Sequence, residues 1–281
     1  MKEIKAEKIT EEVRRLCIEA ACILPEDVEK LVRDSKGKEE SEFGCYSLEK
    51  VIENIDLAKK DMVPMCQDTG IVVVYVEIGE EVKILNSKLN DAINEGVRQG
   101  YVDHPLRKSV VTDPVFDRKN TGDNTPAIIY TEVVPGDKLR IQILPKGAGS
   151  ENMGALKMLK PADGVEGVKE FVINAVVQAG GNPCPPVIVG VGIGGTMDKA
   201  TMLAKKALSR HVGERHPDPR YKELEEEILE KINRSGVGPQ GLGGRVTALE
   251  VRIETFPTHI ATLPVAVNLN CHAARHKEII L

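Results

Sequence analysis

A mixed α/β fold of the α+β kind is predicted for this 281-residue chain by three features of its sequence. Apolar side chains recur at helical spacing up to about Lys60, apolar β-branched runs then alternate with helical segments, and two late strand-like runs close the chain. The expected architecture is a single domain over residues 1–281. It has a helical N-terminal part over 1–60 and then a mixed-sheet core that carries its unusual cysteines at strand ends and in loops. This length buries a sizeable core without disulfide staples. With no Trp, four Phe and five Tyr, aliphatic side chains must fill that core.

In chain order, Val13, Leu16, Cys17 and Ala20 mark a helix over 10–23, and a short second helix restarts after Pro25. Ser47 is placed to cap a third helix that turns Val51, Ile52, Ile55 and Ala58 inward. IVVVYVEIG reads as a strand, and KLNDAINEGVRQG as a helix ending near Gly100. Residues 104–126 are dense in Pro, Asp, Asn and Thr and have no period, and an irregular stretch of that length marks a functional or disordered segment. AIIYTEVV and KLRIQILP flank Pro-Gly-Asp, which predicts a hairpin. A helix from Pro161 to Ala179, the strand PPVIVGVG, a helix from Thr196 to Leu208 and a charged helix near 219–233 follow. The strands VTALEVRIE and HIATLPVAVN then lead to CHAARH. No repeat, low-complexity tract or linker interrupts this order.

The charge pattern narrows the function classes. Thirty-eight basic against 43 acidic residues give a formal charge of -5, with no basic run to track a phosphate backbone, so nucleic acid is not an expected partner. The N-terminal MKEIKAEKITEEVRRL lacks the apolar core of a signal peptide, and no apolar stretch reaches the roughly 18 residues that span a bilayer. A cytoplasmic protein with no membrane partner is expected. Its six cysteines are then reduced, serving as core packing, reactive thiols or metal ligands.

Three cysteines stand in unusual settings beside strands: Cys66 in MCQDTG, Cys184 in GGNPCPP and Cys271 in NLNCHAARH. Zinc sites and ferredoxins use close C-x2-C pairs, which these lack. Three distant thiolates have another use: a 4Fe-4S cluster held by three cysteines leaves one iron open to a substrate hydroxyl or carboxylate. Unrelated buried thiols are the alternative. Cys17 sits on an apolar helix face and reads as core, while Cys45 has no partner the sequence reveals. Gly190, Gly192 and Gly195 satisfy G-x-G-x-x-G between a strand and a helix, but no strand ending in an acidic residue follows about twenty residues on, so a dinucleotide site is not expected. A tight turn or an anion seat at the helix start, with Thr196 as cap, both remain open. KGAGSEN, residues 146–152, offers successive N–H groups that suit a carboxylate. Arg107 is a potential bidentate carboxylate clamp, and a solvated loop charge otherwise. His259 reads either as a core histidine or as a site residue.

Taken together, MCQDTG, HPLRKSVV, NTGDNTPA, PGDKLRIQILPKGAGSENMGALKMLKP, GGNPCPPVIVGVGIGGTMDKA and NLNCHAARH resemble the α subunit, or N-terminal half, of class I fumarate hydratases and the related L-tartrate dehydratases. The resemblance runs in order from about residue 10 to the C-terminus. It implies an oxygen-sensitive 4Fe-4S hydro-lyase of the fumarate hydratase type, reversibly hydrating fumarate to (S)-malate, with Cys66, Cys184 and Cys271 as the three cluster ligands. Gln67 and Asp68 match a pair that touches substrate, and Asp68 is the candidate acid or proton relay. Arg107, the loop of Gly147, Ala148, Gly149, Ser150, Glu151 and Asn152, and His259 match substrate-carboxylate contacts; Ala148 stands where the family usually has glycine.

Single-chain members continue past the third cysteine into a second domain, whereas this chain stops at Leu281. The resemblance therefore implies a hetero-oligomer whose β subunit supplies the remaining active-site groups, including the base, and docks over the cluster. An L-tartrate or other hydroxy-diacid dehydratase is the sibling reading. A non-enzymatic iron-sulfur or regulatory protein is the reading from a different class.

Overall fold

The computed structural model describes residues 1–281. Its elements run β1 (Lys2–Lys5), α1 (Ala6–Cys22), α2 (Glu26–Ser35), α3 (Glu42–Asp61), β2 (Ile71–Gly79), β3 (Val82–Leu85), α4 (Leu89–Asp103), β4 (Ile128–Val134), β5 (Leu139–Lys146), α5 (Ala148–Glu151), β6 (Ala155–Leu159), α6 (Gly164–Ala179), β7 (Val187–Gly194), α7 (Met197–Ala207), α8 (Pro219–Asn233), β8 (Ala248–Phe256), β9 (Leu263–Asn270) and β10 (Lys277–Ile280). The mixed α/β class is as predicted. Two compact units form. The first comprises Met1–Pro25, Ile55–Ala148 and Arg275–Leu281, and the second Glu26–Asn54 and Gly149–Ala274. No helix is long and apolar enough to cross a membrane.

In the first unit the sheet order is β10-β5-β2-β4. β2 pairs antiparallel with β5 and parallel with β4. The expected hairpin between AIIYTEVV and KLRIQILP is therefore wrong: β2 lies between the two strands. Burial explains the order. Val72 through Val76 are all buried, so β2 gains most with a neighbour on each side, whereas β4 is largely exposed and stays at the edge. A second correction concerns the N-terminal part: β1 precedes its first helix and pairs in parallel with β3. Only Ile4 of β1 is buried, which is too little pattern to see in sequence.

Helix α1 packs on α4 where glycines allow close approach. A Cβ on Gly96 would meet the Thr10 carbonyl oxygen and Val13 Cβ at 2.7 Å. The α1 residues Ile9, Val13, Leu16 and Cys17 join Val72, Val74, Ile93, Ile141 and Ile143 in one core. Cys17 is thus core, as predicted, and burial pushes its thiol up to about 12. Ser47 is not a cap. Helix α3 begins at Glu42, and Ser47 lies inside it with its hydroxyl donating to the Phe43 carbonyl at 2.8 Å.

The second unit has the sheet order β6-β9-β7-β8, with β7 buried throughout. Successive residues of β7 face opposite sides. Val189, Val191 and Ile193 enter a core with Val172 and Val176 of α6 and Ile228 and Ile232 of α8. Gly190 and Gly192 face α7: a Cβ there would lie 2.1 Å from the Ala204 oxygen and 2.0 Å from the Ala200 oxygen. The glycine pattern that imitates a nucleotide fingerprint is a helix-packing device. Strand β6, not foreseen in the sequence, pairs antiparallel with β9 and forms one edge of this sheet.

Candidate functional site

MCQDTG ends where β2 begins, and the turn is held by many bonds within the first unit. Met65 N–H donates to the Ala21 oxygen at 3.0 Å. Gly70 has φ +80, and a Cβ there would sit 2.7 Å from the Lys146 nitrogen, so only glycine fits. Its N–H donates to Asp68 Oδ1 at 2.9 Å, while Asp68 Oδ2 accepts from Ala148 N–H at 2.7 Å. Arg275 donates through Nη1 to the Asp68 carbonyl at 2.9 Å. The partly buried Asp68 side chain is therefore fixed from both sides, with Cys66 half-buried and Gln67 exposed just before it.

The irregular stretch 104–126 closes around this turn. Thr69 donates its hydroxyl to the Arg107 carbonyl at 2.9 Å, and the buried Tyr101 hydroxyl donates to the Thr69 carbonyl at 2.7 Å. Asn124, wholly buried, donates Nδ2 to the Gly70 oxygen at 3.0 Å and accepts from Ser109 N–H at 2.7 Å. Irregular backbone is satisfied here by side chains instead of a ladder. Arg107 has its backbone anchored and its side chain exposed.

In the second unit, the loops bearing Cys184 and Cys271 run side by side. Cys184 is exposed and has φ +54, in the left-handed region. His272 N–H donates to the Cys184 carbonyl at 3.3 Å, and His272 Nδ1 lies 3.0 Å from that same oxygen. Gln240 donates both its backbone N–H and its Nε2 to the Pro185 carbonyl, each at 2.8 Å. The glycine-rich run that carries Gln240 is pinned at its far end by Glu39, whose carboxylate accepts from the N–H groups of Glu40, Ser41, Arg245 and Val246. Burial pushes the Glu39 carboxyl up, but these four donors together outweigh it and hold it below the usual value.

The loop 147–152 differs from the predicted open nest. Ala148 to Glu151 form one short helix, and the Ala148 N–H is already taken by Asp68. Ser150 is buried, and Asn152 is exposed. Glu151 accepts from Lys205 Nζ at 2.5 Å and from Asn268 Nδ2 at 3.0 Å, ties to α7 and β9. Gly147 flanks Asp68: a Cβ on it would be 3.3 Å from Oδ2. Gly149 lies beside the Asn182 carbonyl. His259 is exposed in the turn between β8 and β9, its Nδ1 accepting from Ala261 N–H at 3.2 Å, so it is no core histidine. Thr196 stands at the N-cap of α7, yet its hydroxyl donates to Asp198 Oδ1. His272 and His276 lie in an irregular segment over 271–276.

Sequence reasoning missed Arg275, Asn124, Gln240 and Glu39. Arg275 is only 2% exposed and lies inside CHAARH, but a lone arginine carries no sign of a partner more than 200 residues away.

None of the six cysteines is paired in a disulfide. Cys17 and Cys22 are buried, and burial pushes the Cys22 thiol up to about 11. Cys66, Cys184 and Cys271 instead reach the surface beside strand ends. Within either unit no three His, Cys, Asp or Glu side chains are grouped to hold a single metal ion. Thiolate ligands of an iron-sulfur cube stand farther apart than those of one ion, because the cube lies between them. Soft, accessible sulfur donors on hydrogen-bonded loops are the kind of ligand such a group takes.

The family model described as "Fumarate hydratase (Fumerase)" matches residues 10–280. The chain is similar to a protein of Methanocaldococcus jannaschii named "Putative L(+)-tartrate dehydratase subunit alpha", at 47% identity over 95% of each chain. It is also similar to the L(+)-tartrate dehydratase subunit alpha of Escherichia coli and to that of Shigella sonnei, each at 34% identity over 100% of this chain and 93% of the other.

Proposed function

We propose a function from a premise that is itself a finding: the chain belongs to the fumarate hydratase (Fumerase) family and is a hydro-lyase of the α-subunit type. The substrate we infer is a hydroxy-diacid, with L-tartrate first and fumarate/(S)-malate second. Relatives matching nearly the whole chain are named for tartrate, and the family description is named for fumarate. A β subunit completes the site, consistent with the α-subunit names of those relatives.

The observation that carries this reading is the clamp on Asp68, where a carboxylate is fixed between two backbone donors two residues after a half-buried cysteine. Cys66, Cys184 and Cys271 are the residues that would hold a 4Fe-4S cluster, which when bound supplies a Lewis-acid iron for a substrate hydroxyl. Asp68 handles the proton. Each of its oxygens accepts one N–H and keeps a further lone pair, so a proton at Oδ1 or Oδ2 is presented in one direction. Arg107 offers a planar fork of donors to one substrate carboxylate. Gln67, the Gly147–Asn152 turn and His259 supply polar contacts that orient the diacid. Loss of water from a 2,3-dihydroxy diacid removes a proton from one carbon and hydroxide from the next; the resulting enol tautomerises to a 2-oxo diacid. The base that takes the carbon-bound proton belongs to the β subunit.

The test is the co-expressed α/β pair, loaded with iron and sulfide without oxygen and assayed on L-tartrate, fumarate and (S)-malate. Turnover of L-tartrate with kcat/KM at least about tenfold above that for (S)-malate is expected. The reverse preference makes fumarate hydration the reaction. An iron-loaded pair inert on all three ends the diacid reading.

A further inference from the structure

β6 leaves one edge of the second unit's sheet open, unlike β8 at the opposite edge, which is buried along most of its length. Its register decides what that edge presents. Met158 pairs with Pro264, and proline has no N–H, so this is a non-hydrogen-bonded pair of the antiparallel ladder. By alternation the Leu156–Ala266 pair is also non-bonded. The backbone N–H and C=O groups of Leu156 and Met158 therefore point away from β9, toward the open edge. Their apolar side chains are 36% and 46% exposed, and only Lys157 stands between them to discourage pairing with another strand.

On the opposite face of the same strand a cleft of about 630 Å³ runs between β6 and α6. Lys157, Glu166, Glu170, Phe171, Asn174 and Gln178 line it. Glu166 is paired with Lys169 at 2.9 Å, while Glu170 is exposed and makes no ion pair. An added strand would satisfy every one of these features. Its backbone would meet the outward groups of Leu156 and Met158, alternate side chains would cover those two residues, and the others would enter the cleft.

We propose that β6 is a docking edge for an extended segment of the partner subunit, which adds as a fifth strand and places a lysine or arginine beside Glu170. This rests on the reading that the chain works with a β subunit. The excess of carboxylates over cations in the cleft selects a basic segment. β4 in the first unit is an exposed edge too, and it serves as an internal comparison.

Residue-resolved amide hydrogen exchange on the α chain alone and on the co-expressed α/β pair tests this. Leu156 and Met158 amides should exchange rapidly in the free chain and slow by about 100-fold or more in the pair, while Ala155, Lys157 and Leu159 are protected in both. Glu170→Lys, at an exposed helix position, should weaken α/β association by at least about fivefold. A pair that turns over diacid with Leu156 and Met158 still unprotected, or with β4 slowed in their place, overturns the docking edge and leaves the functional reading intact. Concentration-dependent protection in the α chain alone makes a second copy the occupant and also overturns it. A pair with the predicted protection but no activity sinks the functional reading and not the docking edge; failure to assemble with any β chain sinks both.

Discussion

Glu39→Gln isolates the cost of one charge buried against backbone donors. In the native chain Oε1 accepts from Glu40 N–H at 2.9 Å, Ser41 N–H at 2.8 Å and Arg245 N–H at 3.0 Å, while Oε2 accepts from Arg245 N–H at 3.0 Å and Val246 N–H at 2.8 Å. A glutamine has the same shape but only one acceptor oxygen. With that oxygen left where it has most donors, the amide nitrogen faces Val246 N–H, and a buried donor loses its partner. Hydrogen bonds to a charged group contribute about 1.5–3 kcal/mol, and an orphaned buried donor costs about 1–3 kcal/mol, so the substitution should destabilise the protein by roughly 3 kcal/mol. The glutamine amide cannot move aside, because Gly244 already packs against the Glu39 carboxylate.

The pH dependence gives an independent check. The folded Glu39 carboxyl is held low, burial notwithstanding, by its backbone donors. A depressed carboxylate stabilises fully above its unfolded value and loses that stabilisation as pH falls through its folded value. The gap between wild type and Glu39→Gln should hold constant from pH 8 to 5 and narrow only below about pH 4.3. Urea denaturation followed by far-UV circular dichroism measures it. A difference below about 0.5 kcal/mol at pH 7, or a gap that closes between pH 8 and 6, refutes the reasoning.

Other substitutions probe the remaining links. Cys66→Ala, Cys184→Ala and Cys271→Ala should each abolish or destabilise the brown visible absorption of the anaerobically loaded pair, while Cys17→Ala should leave it; iron and sulfide analysis counts the loss. Asp68→Asn should retain that absorption yet lower kcat by about 10²–10⁴-fold, and wild-type rates would remove Asp68 from the mechanism. Arg275→Met keeps the volume but removes the donor to the Asp68 carbonyl, so kcat should fall with a smaller change in KM, and steady-state kinetics separates the two. Gly192→Ala places a methyl 2.0 Å from the Ala200 oxygen, a backbone atom that cannot yield, and should lower stability by about 3 kcal/mol or more or prevent folding in expression trials.

Much of this fold was legible because its signals are local. The periodicity of residues 10–23, 161–179 and 219–233 sets helices that the structure reproduces to within a few residues, since each contact in a helix lies three or four positions away. IVVVYVEIG and VIVGVG are apolar enough to be central strands in any arrangement. Cys66, Cys184 and Cys271 stood out by composition, and the blocks around them led to the family.

What the sequence by itself determined, then, were the helices, the two buried strands and the motif blocks that mark the family, all written within a few neighbours of one another. Only the tertiary structure decided that β2 separates β4 from β5, that β6 is an edge, that Gly190 and Gly192 serve α7, and that Arg275 and Glu39 brace loops more than 200 residues away. Strand order and the partners of a buried charge depend on which surfaces meet, and a pattern read along the chain does not encode that meeting.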